Sequence, residues 1–247
     1  MYRPLREALA RARPDTLIYI TSDHYNMFWE TLPVFAIGAA DSARGASDYP
    51  ELERELRINA DLARHIHRNL IDHEFDVAML QELEFDHTVI APLHFLAPDE
   101  DIALVPIYVN AFVRPLPSSR RCLALGRAIA AAVGSAPDHG RVAVAGSGSF
   151  SLEIGGPRIS DDSHTGVPDP RWLDRVLELL RTADVDALVA EATDEQMWQA
   201  GNAGGEVLDW ITLLGTFEPR PPDHLDVQRQ FGHAFASWSL DGAGSRA

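Results

Sequence analysis

Residues 16–24 read Thr-Leu-Ile-Tyr-Ile-Thr-Ser-Asp-His, an apolar and β-branched run that ends in three polar residues. Such a run is typical of a buried strand. The segment therefore predicts that His24 lies just beyond the carboxyl end of a strand. In open α/β sheets ligands gather at this end of the strands, so the segment indicates a fold class and a place for a binding site.

The segments around this strand predict a sheet with helical cover. We expect further strands at 76–80, 103–109 and 141–145 and an extended piece at 33–40, with Pro106 at a sheet edge or a bulge. Helices are predicted at 5–12, 51–72 and 120–133 and through most of 170–214. The fold class is therefore α/β: a single domain over 1–240 with a central mixed sheet covered by helices, a loop near 160–170 and a disordered tail at 241–247.

Composition excludes several classes of function. The 247 residues carry a formal charge of −16 and include no lysine, so the chain would repel a nucleic-acid backbone. No apolar stretch approaches the roughly 20 residues that cross a bilayer. Cys122 is the one cysteine, so no internal disulfide forms, and no signal-peptide core follows the N-terminal arginines. We expect a cytoplasmic protein with neither nucleic acid nor membrane as a partner.

A glycine-rich turn follows the strand predicted at 141–145. Gly146-Ser147-Gly148 resembles the start of a dinucleotide-binding fingerprint. The third glycine of that fingerprint would fall at Ser151, and a helix would have to follow at once. A dinucleotide site is therefore disfavoured.

Four short segments stand out along the chain. They are Ser22-Asp23-His24, Asp86-His87 followed by Ala91-Pro92-Leu93, the run PLPSSRRC at 115–122, and Gly204-Gly205-Glu206 with Trp210 four residues on. In this order and spacing they resemble one metalloenzyme family, the class III extradiol ring-cleavage dioxygenases, to which the protocatechuate 4,5-dioxygenase beta chain belongs. The resemblance covers nearly the whole chain.

The resemblance implies a ferrous ion as cofactor, held by two histidines and one carboxylate with the opposite face open to substrate and O2. It places His24 on the second histidine ligand and Glu206 on the carboxylate ligand. His87 falls on a catalytic histidine that hydrogen-bonds substrate or oxygen. The substrate class would be a catecholic or aminophenolic aromatic, and no substrate-binding residue is identified.

Two of the family's functional histidines have no counterpart. The first histidine ligand would precede the helix that begins near Tyr2, so we expect this chain to be short at its N-terminus. The family's acid–base histidine corresponds to Leu152, which can neither accept nor donate a proton. His164, in the polar loop that follows, is a candidate substitute, although its spacing does not require it.

Each site residue also has an ordinary structural explanation. His24 could be a hydrogen-bonded loop residue, His87 a semi-buried histidine, and Glu206 a first-turn acid favoured by the helix dipole.

Other polar residues are expected outside the site. His65, His67 and His73 are expected at surface positions of one helix, where the i, i+2 spacing of the first two argues against a shared metal. Arg120 and Arg121 are a candidate clamp for a substrate carboxylate.

Three functions remain open. The chain could be an extradiol dioxygenase impaired alone or dependent on a partner. It could be the non-catalytic subunit of a two-chain dioxygenase, paired with a homologous catalytic subunit, and the loss of two separate histidines favours this function. It could also bind an aromatic acid without cleaving it. The expected partners are a small aromatic substrate and O2, together with that subunit or further copies of this chain.

Overall fold

A five-stranded mixed sheet forms the centre of the molecule. The computed structural model describes residues 1–45, 52–97, 102–159 and 163–240. One sheet contact, between β2 and β7, is antiparallel and the other three are parallel. From edge to edge the strands are β5 (Ala78–Leu80), β2 (Phe35–Gly38), β7 (Ala103–Val109), β1 (Thr16–Thr21) and β8 (Val142–Gly146).

The neighbouring strands β7 and β1 are buried along their whole length, because helices cover both faces of the sheet. Ile18 and Ile20 of β1 face one hydrophobic core, and Leu17 and Tyr19 face the other. This alternation is what the two-residue period of a strand requires when neither face meets water.

Eight α-helices lie in the described part of the chain. Helices α2, α4, α5, α6 and α8 supply the larger core, whereas α3 packs on the opposite face of the sheet. Their bounds are α1 (Tyr2–Ala12), α2 (Ala60–Asp72), α3 (His87–Leu96), α4 (Ser119–Ser135), α5 (Pro170–Thr182), α6 (Val185–Glu191), α7 (Asp194–Gln199) and α8 (Val207–Leu214).

Three small sheets flank the central one. The first combines three strands, and the other two are antiparallel pairs. Their strands are β3 (Ser42–Gly45), β4 (Arg54–Arg57) and β6 (Glu84–Phe85); β9 (Glu153–Ile154) and β10 (Thr165–Gly166); and β11 (His224–Gln228) and β12 (His233–Ser237).

The helix predicted at 51–72 is wrong in its first part. Residues 54–57 form β4, which pairs with β3, and the helix begins only at Ala60. The side chain of Asn59 accepts a hydrogen bond from the backbone N–H of Leu62 at 3.1 Å. This N-cap fixes the helix start, and residue 51 lies outside the described residues.

The prediction that Pro106 lies at an edge or a bulge is also wrong. β7 is the middle strand of the sheet. The antiparallel ladder between β7 and β2 ends at Ile107, so the residue without an N–H group lies just beyond the last pair of that ladder. Proline is tolerated where no ladder hydrogen bond is needed from its nitrogen.

The other expectations for the fold are confirmed: a single mixed α/β domain, with the predicted strands at 16–21, 76–80, 103–109 and 141–145 all in one sheet. Within the predicted loop at 160–170, residues 165–166 form β10, and residues 160–162 are outside the described part. The tail at 241–247 also lies outside it. Among the described residues, no helix is both long and apolar enough to cross a membrane.

Candidate functional site

His24 lies three residues beyond β1, in a loop that is held by two carboxylates. Asp86 Oδ2 accepts the backbone N–H of His24 at 3.1 Å. The side chain of Asp23 accepts the backbone N–H groups of Asn26, Met27 and Phe28 at 3.0 to 3.1 Å. These bonds fix the direction in which the half-buried His24 ring points.

Both ring nitrogens of His24 are engaged. Its Nε2 lies 2.9 Å from Oε1 of Glu206, and its Nδ1 lies 3.3 Å from Nε2 of His87. Phe112 packs edge-on against the same ring, with 4.8 Å between ring centroids. The structure therefore brings together the three residues that the sequence indicated, with His24 in the middle.

Glu206 reaches this position because two glycines allow close backbone approach. A Cβ atom on Gly204 would lie 2.2 Å from the carbonyl oxygen of Met197, and one on Gly205 would lie 2.1 Å from that of Ala111. Glu206 is only 6% exposed. Its Oε2 accepts the backbone N–H of Ser149 at 2.8 Å, so the carboxylate is oriented by the loop after β8.

His87 is the first residue of α3 and is exposed. Asp86 caps the helix, because its Oδ1 accepts the backbone N–H of Thr88 at 2.9 Å. Asp86 also contacts the Thr88 hydroxyl and the backbone of His24. Ligand atoms of His24, Asp86 and His87 lie within 4.8 Å of one another, but the Asp86 carboxylate is already occupied by these bonds.

The electrostatics of the site follow from burial and from Glu206. Burial lowers the pKa of His24, but the hydrogen bond and charge of Glu206, together with the charges of Asp86 and Asp23, outweigh it and raise the pKa. Asp209, one helical turn beyond Glu206, is fully buried, and its Oδ2 accepts the Ser22 hydroxyl at 2.7 Å. Burial raises the pKa of Asp209 well above its usual value.

His24 and Glu206 fit a metal ion. Two donors at right angles around an ion, each about 2.1 Å from it, lie roughly 3 Å apart, and His24 Nε2 and Glu206 Oε1 are 2.9 Å apart. Imidazole nitrogen and carboxylate oxygen together suit ferrous iron. His87 faces the other nitrogen of His24, so it lies beside this donor pair.

The candidate substitute for the acid–base group has no such place. His164 is exposed, and its backbone oxygen accepts the N–H of Gly155 at 2.9 Å. Leu152 is partly buried, and its carbonyl accepts the N–H of Ala203 at 3.0 Å.

The glycine-rich turn after β8 does not begin a helix. β8 leads into the loop at 147–152, and the next described helix begins at Pro170, so the helix of a dinucleotide site is missing there.

Three of the remaining sequence candidates, His65, His67 and Arg121, contact other parts of the fold. His65 and His67 are partly buried rather than on the surface: His65 Nε2 lies 3.1 Å from the carbonyl oxygen of Ala132, and His67 Nε2 lies 2.9 Å from that of Val77. The guanidinium of Arg121 stacks over Phe35 and Phe75. The Arg121 guanidinium, proposed as part of a clamp for a substrate carboxylate, is therefore packed against two aromatic rings.

Sequence reasoning missed Asp209 and His233. Asp209 could have been found, because it is the one acid inside the apolar run of α8. His233, at the start of β12, is partly buried, and burial lowers its pKa although the charge of Glu206 opposes this. No local pattern indicates that it lies near residues 148–151, because that proximity depends on the turn between β11 and β12.

Comparison with known proteins identifies relatives over most of the chain. Residues 1–237 match the family model described as the catalytic LigB subunit of aromatic ring-opening dioxygenase. A 2,3-dihydroxyphenylpropionate/2,3-dihydroxicinnamic acid 1,2-dioxygenase of Mycolicibacterium gilvum is 33% identical over 88% of this chain and 64% of its own length. A gallate dioxygenase of Pseudomonas putida is 31% identical over 64% of this chain and 45% of its own length.

The chain thus spans less than two thirds of the length of these two relatives. A second 2,3-dihydroxyphenylpropionate/2,3-dihydroxicinnamic acid 1,2-dioxygenase, from Mycolicibacterium vanbaalenii, is 30% identical over 85% of this chain and 77% of its own length. The crystal structure of an uncharacterized protein of Escherichia coli K12 superposes with a TM-score of 0.65 at 16% identity. The superposition covers 95% of this chain and 90% of that chain, and the likeness is evidence for the fold but not for the function.

Proposed function

Because the chain belongs to the family of the catalytic LigB subunit of aromatic ring-opening dioxygenases, we propose that it serves extradiol cleavage of a catecholic or aminophenolic ring by O2. The relatives named above act on dihydroxylated or trihydroxylated aromatic acids by their names. The observation that carries the proposal is the 2.9 Å approach of His24 Nε2 to Glu206 Oε1.

In this proposal His24 and Glu206 hold ferrous iron. The bound ion would supply the redox chemistry with O2 and polarise the catechol oxygens. Coordination through Nε2 of His24 requires the hydrogen on Nδ1, which then donates to His87 Nε2. Ser149 keeps the Glu206 carboxylate oriented through its N–H group, and Phe112 covers one side of the His24 ring.

His87 would contact the substrate or the oxygen. It is exposed at the helix start, and its ring lies edge-on to that of His24 with 5.0 Å between centroids. As a hydrogen-bonding group beside the metal ligands it would orient the reacting oxygens, a role that suits an imidazole near neutral pH.

Two protein ligands hold ferrous iron weakly, since ligand number and geometry set affinity. Within residues 1–45, 52–97, 102–159 and 163–240, Asp86 and His87 complete the one cluster with metal-ligand spacing around His24, and Asp86 is occupied by backbone hydrogen bonds. We propose that a third donor comes from a homologous subunit. A cytoplasmic location follows as a proposal from the cysteine usage.

The second candidate function is that of a non-catalytic subunit in a two-chain dioxygenase. The feature that favours it is Leu152, which the family resemblance matches with the acid–base histidine. A third candidate function is the binding of an aromatic acid without its cleavage.

The test uses protein loaded with Fe(II) under nitrogen and then mixed with 2,3-dihydroxyphenylpropionate, gallate or 2-aminophenol. We expect calorimetry to show Fe(II)-dependent binding of at least one of them, which His24→Ala abolishes. O2 uptake should rise when a homologous subunit is added. Binding without O2 uptake in either preparation would support the aromatic-binding function, and no binding of any compound would contradict the proposal.

A further inference from the structure

The turn that leads into β12 is bound to the loop beside Leu152. Gly232 has φ of 69°, and its carbonyl oxygen accepts the backbone N–H groups of Phe150 at 2.8 Å and Ser151 at 3.2 Å. A Cβ atom on Gly232 would lie 1.8 Å from the carbonyl oxygen of Ser151. Only glycine fits this left-handed and crowded position, so the backbone just before His233 is fixed against this loop.

The same loop reaches Glu206 at its other end. Ser149 donates its backbone N–H to Glu206 Oε2, and a Cβ atom on Gly148 would lie 2.7 Å from the Glu206 carbonyl oxygen. Residues 148–151 therefore join the proposed ligand Glu206 to the turn that carries His233. Consistent with this path, the charge of Glu206 acts on the pKa of His233.

The geometry points to His233 as the group of this site that accepts the hydroxyl proton of a bound catechol, in the role that Leu152 cannot fill. The inference rests on the proposed function. In this step the O–H bond of one catechol hydroxyl breaks and an N–H bond forms on the imidazole, which gives a catecholate and an imidazolium. The later return of that proton restores the neutral ring.

The His233 ring has the form that this step needs. Its Nε2 lies 3.3 Å from Oε1 of Gln228, and a hydrogen bond with the backbone of Phe231 acts to raise the pKa of the ring. Burial lowers the pKa of His233, which keeps the ring neutral near pH 7. A neutral ring is a base, whereas a clamp for a substrate carboxylate would require the charged form.

The surroundings of His233 contain little charge. Phe231 stacks on its ring at 5.9 Å between centroids, and Phe235 packs edge-on at 5.5 Å. Arg229 in the same turn is paired with Asp174. Among the described residues, Glu206 is the one charged side chain with an electrostatic effect on the pKa of His233.

The experiment follows ionisation of a bound probe. 4-Nitrocatechol changes its visible absorption when a hydroxyl ionises, so its titration in the presence of Fe(II)-loaded protein under nitrogen reports proton loss without turnover. We expect the native chain and His164→Gln to ionise the bound probe at the same pH. His233→Gln should raise that midpoint by about one pH unit or more, a tenfold loss in the ionisation constant.

Equal midpoints in the native chain and His233→Gln would overturn the inference, as would a variant that weakens probe binding without moving the midpoint. If His233→Gln does not fold, as judged by circular dichroism, His233→Asn gives the same comparison with a smaller side chain. Failure of the probe to bind to any variant, native included, would instead contradict the proposed function itself.

Discussion

Nε2 of His24 lies 2.9 Å from Oε1 of Glu206, although 182 positions separate the two residues along the chain. His24 arrives from the end of β1 in the middle of the sheet, and Glu206 arrives from the turn before α8. The Asp86 carboxylate accepts the backbone N–H of His24, and the Glu206 carboxylate accepts the backbone N–H of Ser149. The contact therefore depends on the fold more than on flexible side chains.

Replacement of His87 should impair turnover more than iron binding. His87→Gln removes the imidazole beside His24 but neither proposed ligand, so we expect kcat to fall about 10²–10³-fold, the usual cost of removing one hydrogen-bonding group from a reacting oxygen. The assay is O2 uptake in the preparation where the native chain is active, together with iron content. His139→Gln, at a partly buried position in the turn before β8 and outside the site, is the control. Loss of iron in parallel with activity would show instead that His87 acts through iron binding, as a ligand or as the hydrogen-bond partner of His24 Nδ1.

Close packing at Gly205 should make alanine costly there. In Gly205→Ala the new Cβ would meet the Ala111 carbonyl oxygen at 2.1 Å, and overpacking of this kind costs about 1–3 kcal/mol. Because Glu206 is the next residue, the displaced turn should also weaken Fe(II) binding. Urea unfolding and iron titration measure the two effects.

Gly134 provides the matched control for Gly205. It lies in α4, and a Cβ there would have no heavy atom within 4 Å. Gly134→Ala should therefore stabilise the protein, by up to about 1 kcal/mol from helix propensity alone, and leave iron binding unchanged. An equal loss of stability in both variants would show that the backbone approach at Gly205 is not what limits substitution.

Asp209 should make stability depend on pH. Burial raises its folded-state pKa well above the value of about 3.9 in an unfolded chain. Its contribution to stability is therefore complete below about pH 4 and is lost as pH rises through the folded-state pKa. Asp209→Asn cannot ionise and keeps an oxygen for Ser22, so it should gain stability relative to the native chain between pH 5 and pH 8.

The measurement is urea unfolding at those two pH values. Asp186→Asn, at an exposed position near the start of α6, should leave the pH dependence as it is in the native chain. If Asp209→Asn has the same pH slope as the native protein, the buried carboxyl of Asp209 is not the group responsible.

Sequence patterns predicted the parts of the fold in which each residue's neighbours are close in sequence or share a simple period. The strand at 16–21 was predicted to its last residue, because every one of its positions is buried. The helix start at Ala60 was missed, because leucines at 52 and 56 continue a helical spacing although Leu56 belongs to β4. There, pairing with β3 and the Asn59 cap outweigh periodicity.

The residues of the candidate site likewise fall into those that the sequence indicated and those that it did not. His24, His87 and Glu206 were found through a family resemblance, and the structure brings them together. His233 and the partner of Asp209 could not be predicted, since both depend on contacts between distant segments: Gly232 with Ser151, and Ser22 with Asp209. No residue type or spacing within a single segment encodes such contacts.

The central claim is that His24 and Glu206 share one ferrous ion, and a double-mutant cycle of Fe(II) affinity under nitrogen tests it most directly. We expect His24→Ala and Glu206→Gln each to weaken binding by at least about 100-fold, since even residues that only support a metal ligand cost 10–100-fold. The double variant should be little worse than either single one, because both act on the same ion. Native affinity in both single variants, or no Fe(II) binding by the native chain, would contradict the claim.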